Sequence, residues 1–264
     1  MGNPKDRQTM KKILLTFLIG LVFQLSYGQT ELQESFQKGV KLLQSESYRK
    51  AAETFTDVLG KATDDRLKKF CYIYRAFSYN GLGEYQKAIS DLDKAIELDP
   101  NDLASYIDRG KAKAYLKDLD GAKKDFEYIL TKDSIGDQGQ GAFYYLGKIS
   151  YQLGNFEHSI KYYDKLIVLT PMDTELYFNR AVAKGMIMDV AGSIKDYDKA
   201  IELKTDFTEA YANRGVAKIN LLTSKGNISP TKEQTSDGCA DLKKAQKMGD
   251  KTVQDMIYIY CNKK

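Results

Sequence analysis

A pattern of small, aromatic and charged residues returns at a spacing of roughly 34 residues along this chain, a period that implies a stack of like supersecondary units. No other feature limits the available folds so strongly. Tyr72, Arg75, Ala76, Ala88, Leu92 and Ala95 recur one period later as Tyr106, Arg109, Gly110, Ala122, Phe126 and Ile129. Small residues fall on small, apolar on apolar and Arg on Arg. In such a stack each unit buries its apolar face against its neighbours.

Within each copy the apolar residues recur at helical spacing in two blocks. A short polar turn such as Gly81-Leu82-Gly83-Glu84 or Gly154-Asn155 joins the blocks, so each repeat reads as two antiparallel helices, A and B. Small residues stand part-way along helix A at Gly39, Ala76, Gly110, Gly147, Ala181 and Gly215. A second small set opens helix B at Ala51, Ala88, Ala122, Ser159, Ser193 and Gly238. These places let the helices approach closely, and Phe55, Leu92, Phe126, Tyr163, Tyr197 and Leu242 fill the space beside them. Pro100 and Pro171 stop helix B before the next repeat.

The pattern resembles the tetratricopeptide repeat. The resemblance rests on Phe143-x-x-Leu146-Gly147, on Tyr72-x-x-x-Ala76-x-x-Tyr79, and on the run from Ala88 through Leu92 and Ala95 to Pro100. It covers residues 32 to about 260 and implies an all-α fold, a right-handed α-solenoid of antiparallel helix pairs. Six repeats are expected at 32–68, 69–102, 103–139, 140–173, 174–207 and 208–249, after a short segment at 29–31. The first and third carry three extra residues, and the sixth an insertion within 222–237. Residues 250–264 supply a capping helix and tail, because the last repeat has no following neighbour.

The resemblance also implies that helix A of each repeat lines a concave face that holds peptides or partner helices. Mapped onto this chain, the groove-facing places are Phe77, Lys111, Tyr115, Tyr144, Lys148, Tyr151, Phe178, Asn179 and Asn213. Aromatics there offer apolar area, and Lys and Asn can hold a peptide's carboxylates or carbonyls. Some members of the family grip a C-terminal carboxylate with an early Lys on helix A. This chain has Gln33, Phe70, Ala104, Gly141, Glu175 and Glu209 at those places, which argues against that mode.

Arg75, Arg109, Arg180 and Arg214 occupy one place in helix A, and the same four repeats carry Asp91, Asp125, Asp196 and Asp241 in helix B. Where the Arg is absent the Asp is absent too: Lys38 goes with Thr54, and Leu146 with Tyr162. Antiparallel packing predicts an ion pair inside each of the four repeats. The pairs Asp91/Asp93 and Asp196/Asp198 are poor chelators, since residues two apart on a helix face away from each other.

Catalytic and metal-binding signatures are missing: no Cys-x-x-Cys, Gly-rich phosphate loop, Gly-x-Ser-x-Gly or His-Glu-x-x-His occurs. The single His158 stands at the start of a helix B, where side chains face solvent. No metal, no cofactor and no enzymatic activity are expected.

Lys11 and Lys12 precede an apolar run from Ile13 to Leu25, and Ser26-Tyr27-Gly28 follows. That is the form of a secretory signal peptide at residues 1–28. The run from Ile13 to Leu25 is too short to span a bilayer as a helix, so no stable membrane span is expected in the mature chain. Residues 1–30 hold four cations against one acid, so +3 of the net +4 lies there. The remainder has no basic stripe for phosphates, which makes nucleic acid a poor partner.

Export to a bacterial periplasm or cell envelope permits disulfides. Cys239 and Cys261 lie on opposite arms of the turn at Gly249-Asp250, nearly equally far from it, and are expected to pair. Cys71 is left over as a buried apolar residue. The function expected from all this is a non-enzymatic scaffold that binds a protein or peptide segment in the concave groove. The alternative is an adaptor subunit of an outer-membrane assembly or uptake complex, using the convex face or the 222–237 loop.

Overall fold

Amphipathic blocks bounded by turn residues fold as helices and pair in chain order. The computed structural model describes residues 30–224 and 230–262, and no strand occurs among them. The chain divides into two compact halves, Met1–Lys132 and Asp133–Lys264.

The described part of the N-terminal half holds three helical hairpins. They are α1 (Thr30–Gln44) with α2 (Tyr48–Lys61), α3 (Asp65–Gly81) with α4 (Tyr85–Leu98), and α5 (Leu103–Tyr115) with α6 (Leu119–Lys132). The C-terminal half repeats the plan with α7 (Asp137–Gln152) and α8 (Phe156–Leu169), α9 (Thr174–Met186) and α10 (Val190–Leu203), and α11 (Thr208–Ser224) and α12 (Ser236–Lys247). Within each half, successive hairpins also pack B against A.

The small and bulky sets of the repeat lie against one another. A Cβ added at Gly110 would lie 2.7 Å from the Phe126 ring, and one at Gly147 would lie 2.8 Å from that of Tyr163. Helix A can approach helix B only because it lacks that atom. Phe126, Leu92 and Leu242 are accordingly sealed from solvent. In the first five repeats the A-to-B turn passes through a left-handed residue at Glu46, Gly83, Lys117, Gly154 or Met188. Only two of those five are Gly, so the turn signal in the sequence is uneven.

Extra residues in the first and third repeats lengthen the helix that comes next. Helix α3 starts at Asp65 and α7 at Asp137, earlier than the boundaries 69 and 140 drawn from the period. Asp64 caps α3 by accepting the Leu67 N–H. Asp133 collects N–H bonds from Gly136, Gly139 and Ile135, and these hold its carboxyl below the usual range.

The insertion of the sixth repeat lies between its two helices, within the expected 222–237. Helix α11 runs to Ser224 and α12 begins at Ser236, so both ends of 222–237 are helical. Residues 225–229 lie outside those described, as does the expected leader at 1–28. The terminal cap starts later than the sequence predicts. Thr252 folds back on the Asp250 carboxylate through its N–H and hydroxyl. Helix begins only at α13 (Gln254–Met256) and continues as a π-helical turn, Ile257–Cys261. Val253, Ile257 and Cys261 are its buried side, packed into the core of the C-terminal half.

Cys239 of α12 and Cys261 of the cap are joined as a disulfide, their Cα atoms 5.5 Å apart. Thr235 fastens the same end, its hydroxyl donating to the Tyr260 carbonyl at 3.2 Å. Cys71 is buried in α3, and burial pushes its thiol up to about 12.

Candidate functional site

Each Arg of helix A grips the Asp of its own helix B with a bidentate fork. Nε and Nη2 of Arg109 donate to the two carboxylate oxygens of Asp125 at 3.0 and 2.6 Å. Arg75 with Asp91, Arg180 with Asp196 and Arg214 with Asp241 repeat the geometry. All four Asp are buried, and the bond to Asp91 raises the Arg75 guanidinium above its ordinary value. A Lys one turn after the Arg adds a second cation in three repeats: Lys113 to Asp125, Lys184 to Asp196 and Lys218 to Asp241, each at 2.8 Å.

The remaining Arg nitrogen reaches into the preceding repeat. Nη1 of Arg109 donates to Asp93, that of Arg180 to Asp164 and that of Arg214 to Asp198, each at 2.7 Å. In the second repeat Arg75 finds the Thr56 hydroxyl instead, at 2.9 Å. Sequence reasoning missed this second, latching row. Its signal is an Asp at one constant spacing before the Arg in three repeats. The facing-away of Asp91 and Asp93 is what lets each serve a different Arg. Within each half this ladder fixes the angle at which helices A are presented.

Of the expected groove-facing places, three lie in the N-terminal half and six in the C-terminal half. In the N-terminal half Tyr115 is 61% exposed and lies flat on Tyr85 of α4, ring centroids 4.7 Å apart. Phe77 is half-buried, edge-on to Tyr48. Lys111 is half-buried and pairs with Asp108 at 3.3 Å.

In the C-terminal half, α7 presents Tyr144, Lys148 and Tyr151 one turn apart. The Lys148 ammonium stands 5.5 Å from the Tyr144 ring centroid, while Tyr151 meets Phe156 edge-on at 5.3 Å. Lys148 is exposed, and both tyrosines are half-exposed. Asn179 on α9 is half-buried. Phe178 and Asn213 are engaged within the half. Phe178 packs on Tyr197 and Phe207, and Asn213 bonds to the Tyr197 side chain. Burial pushes that phenol up to about 12, and the bond with Asn213 works against the rise.

His158 is exposed in the first turn of α8. Among the described residues no group of three His, Cys, Asp or Glu side chains is placed to hold a metal ion, and no helix is long and apolar enough to cross a membrane.

The tetratricopeptide repeat family matches residues 70–102 and again residues 141–173, one repeat in each half. The chain is a tetratricopeptide repeat protein. This repeat chain is similar to Protein unc-45 homolog B of Xenopus laevis, 33% identical over 95 residues. That match takes in 36% of the chain and 10% of the relative, so the chain spans only a small part of the curated relatives it matches.

Among solved structures, the C-terminal part of a TPR repeat-containing protein from Cytophaga hutchinsonii superposes with a TM-score of 0.66 at 18% identity. The overlap covers 87% of this chain and 96% of that one. YrrB, described as a TPR protein with an unusual peptide-binding site, gives 0.59 at 21% identity, covering 78% of this chain and 98% of its own. At such identities the likeness is one of fold. Tetratricopeptide repeat proteins are protein-interaction scaffolds, and the arrangement here, ordered helices A carrying half-exposed aromatics and an ammonium, is of that kind.

Proposed function

We propose that this tetratricopeptide repeat chain is a non-enzymatic scaffold that holds an extended protein or peptide segment on its helices A. The carrying observation is the row Tyr144, Lys148 and Tyr151 on α7, one turn apart and open to solvent in part or in full. Two aromatic faces give apolar area at little entropic cost, and the ammonium between them can hold a carboxylate or carbonyl of the segment. The leader-like residues 1–28 support work outside the cytoplasm, in the periplasm or cell envelope.

The test is selection from a displayed peptide library on the full chain, followed by anisotropy with the selected peptide. Tyr144→Ala combined with Lys148→Ala should weaken binding at least tenfold. Undiminished binding by that variant would overturn the groove reading and favour an adaptor that uses another face.

A further inference from the structure

The latching row ends in a reversal of charge. Helix B of the second, fourth and fifth repeats carries Asp93, Asp164 and Asp198, each accepting the Arg of the following repeat. The same place on α12, two residues after Asp241, holds Lys243. The short cap that succeeds α12 has no Arg to meet. An exposed cation therefore stands where three other repeats place a latching anion.

Between α12 and the cap lies a cleft of about 530 Å³, within the size range of ligand sites. Lys243, Gln246 and Lys247 line one wall, and Gln254, Tyr258 and Asn262 line the other. Neither lysine makes an ion pair among the described residues. The one acid on the lining is Asp255, so the cleft carries one positive charge in excess. The three amides can donate to carboxylate oxygens. Tyr258 is 77% exposed, an aromatic of this size left out of the core at the mouth of the cleft.

The cleft is also held in shape. The disulfide fastens the π-helical turn to α12, and the buried Val253 and Ile257 seat it on the core. A site fixed in advance spares the ordering cost of binding.

We propose that this cleft is a second binding site, separate from the groove of helices A, and that it takes an acidic peptide segment. A carboxylate side chain enters between Lys243 and Lys247, and a neighbouring apolar side chain lies on Tyr258.

The test uses the full oxidised chain and a fluorescein-labelled glutamate nonamer with one central phenylalanine, set against its glutamine counterpart. The acidic probe should bind at least tenfold more tightly than the glutamine one. Lys243→Glu with Lys247→Glu should remove that preference while the helical circular dichroism stays unchanged. Tyr258→Ala should weaken the acidic probe several-fold, and Asp255→Asn should tighten it. Tyr144→Ala with Lys148→Ala should leave it as it was, which separates this site from the groove. Equal binding of the two probes, or an acidic preference that survives the double charge reversal, overturns the proposal.

Discussion

Arg109 and Asp93 belong to different repeats, yet Nη1 of one donates to Oδ1 of the other over 2.7 Å. The same guanidinium forks onto Asp125 in its own repeat, so one side chain ties three helices together. The two carboxylates sit in unlike surroundings. The Asp125 side chain is 5% exposed and that of Asp93 is 47% exposed.

That contrast gives a stability prediction. Asp125→Ala strips the partner from a guanidinium and an ammonium held in a largely dry site, and should cost about 3–5 kcal/mol. Asp93→Ala removes a partly solvated partner and should cost under about 1 kcal/mol. Urea denaturation of both variants checks the order. Equal losses would mean that the latch to the preceding repeat matters as much as the internal fork.

Gly110→Ala should destabilise by about 1–3 kcal/mol, because its new methyl would lie 2.7 Å from the Phe126 ring. Phe126→Leu in the same chain should recover part of the loss. It restores the pairing of the second repeat, where Ala76 faces Leu92. A double-mutant cycle in urea measures the recovery, and strictly additive losses would show that the two positions do not share the contact.

The cap supplies a third measurement. Non-reducing peptide mapping of oxidised protein should recover the Cys239 and Cys261 peptides linked, with Cys71 free. Cys261→Ser should lower stability by about 3 kcal/mol, the chain-entropy value for a loop of this size. The loss should show first as faster hydrogen exchange in the cap, and unchanged exchange there would mean that packing alone holds it.

Alkaline pH tests the burial of Cys71. Its thiol is pushed from the ordinary 9.0 up to about 12 in the folded chain, chiefly by burial, with Arg75 opposing. Between those values the folded state keeps a proton that the unfolded state releases, so this contribution is full below pH 9.0 and is lost as pH rises toward about 12. Urea midpoints from pH 8 upward should fall, and Cys71→Ala should fall less steeply than wild type. Parallel slopes would remove the thiol as the cause.

The hairpins, the small and bulky pairs and the internal Arg–Asp fork are legible in the sequence because each recurs at one spacing. Copies laid over one another expose them. The latching row is harder to see because Asp93, Asp164 and Asp198 sit on the outward side of their own helices and gain a partner only from the next repeat. The early starts of α3 and α7 depend on Asp64 and Asp133, local capping groups that break the period instead of following it. For the expected groove, the sequence supplies only a set of places. Sequence does not tell Tyr115, open on Tyr85, from Phe178, engaged by Tyr197 and Phe207, since that depends on how neighbouring rings fill space.

The ladder has a consequence for how such a chain can lengthen or shorten. The fifth repeat contributes Arg180 and Lys184 on one helix and Asp196 and Asp198 on the other, two charges of each sign. It is an electrically closed cassette: its Arg meets an acid from upstream, and its outer Asp waits for a base from downstream. Copying or excising such a segment in phase leaves no orphaned ion at either splice. The fourth repeat, with Leu146 and Tyr162 in place of the fork, can offer an acid downstream through Asp164 but has no guanidinium with which to receive one. It could follow any repeat that ends without a latching acid, and a copy placed behind the fifth would strand Asp198.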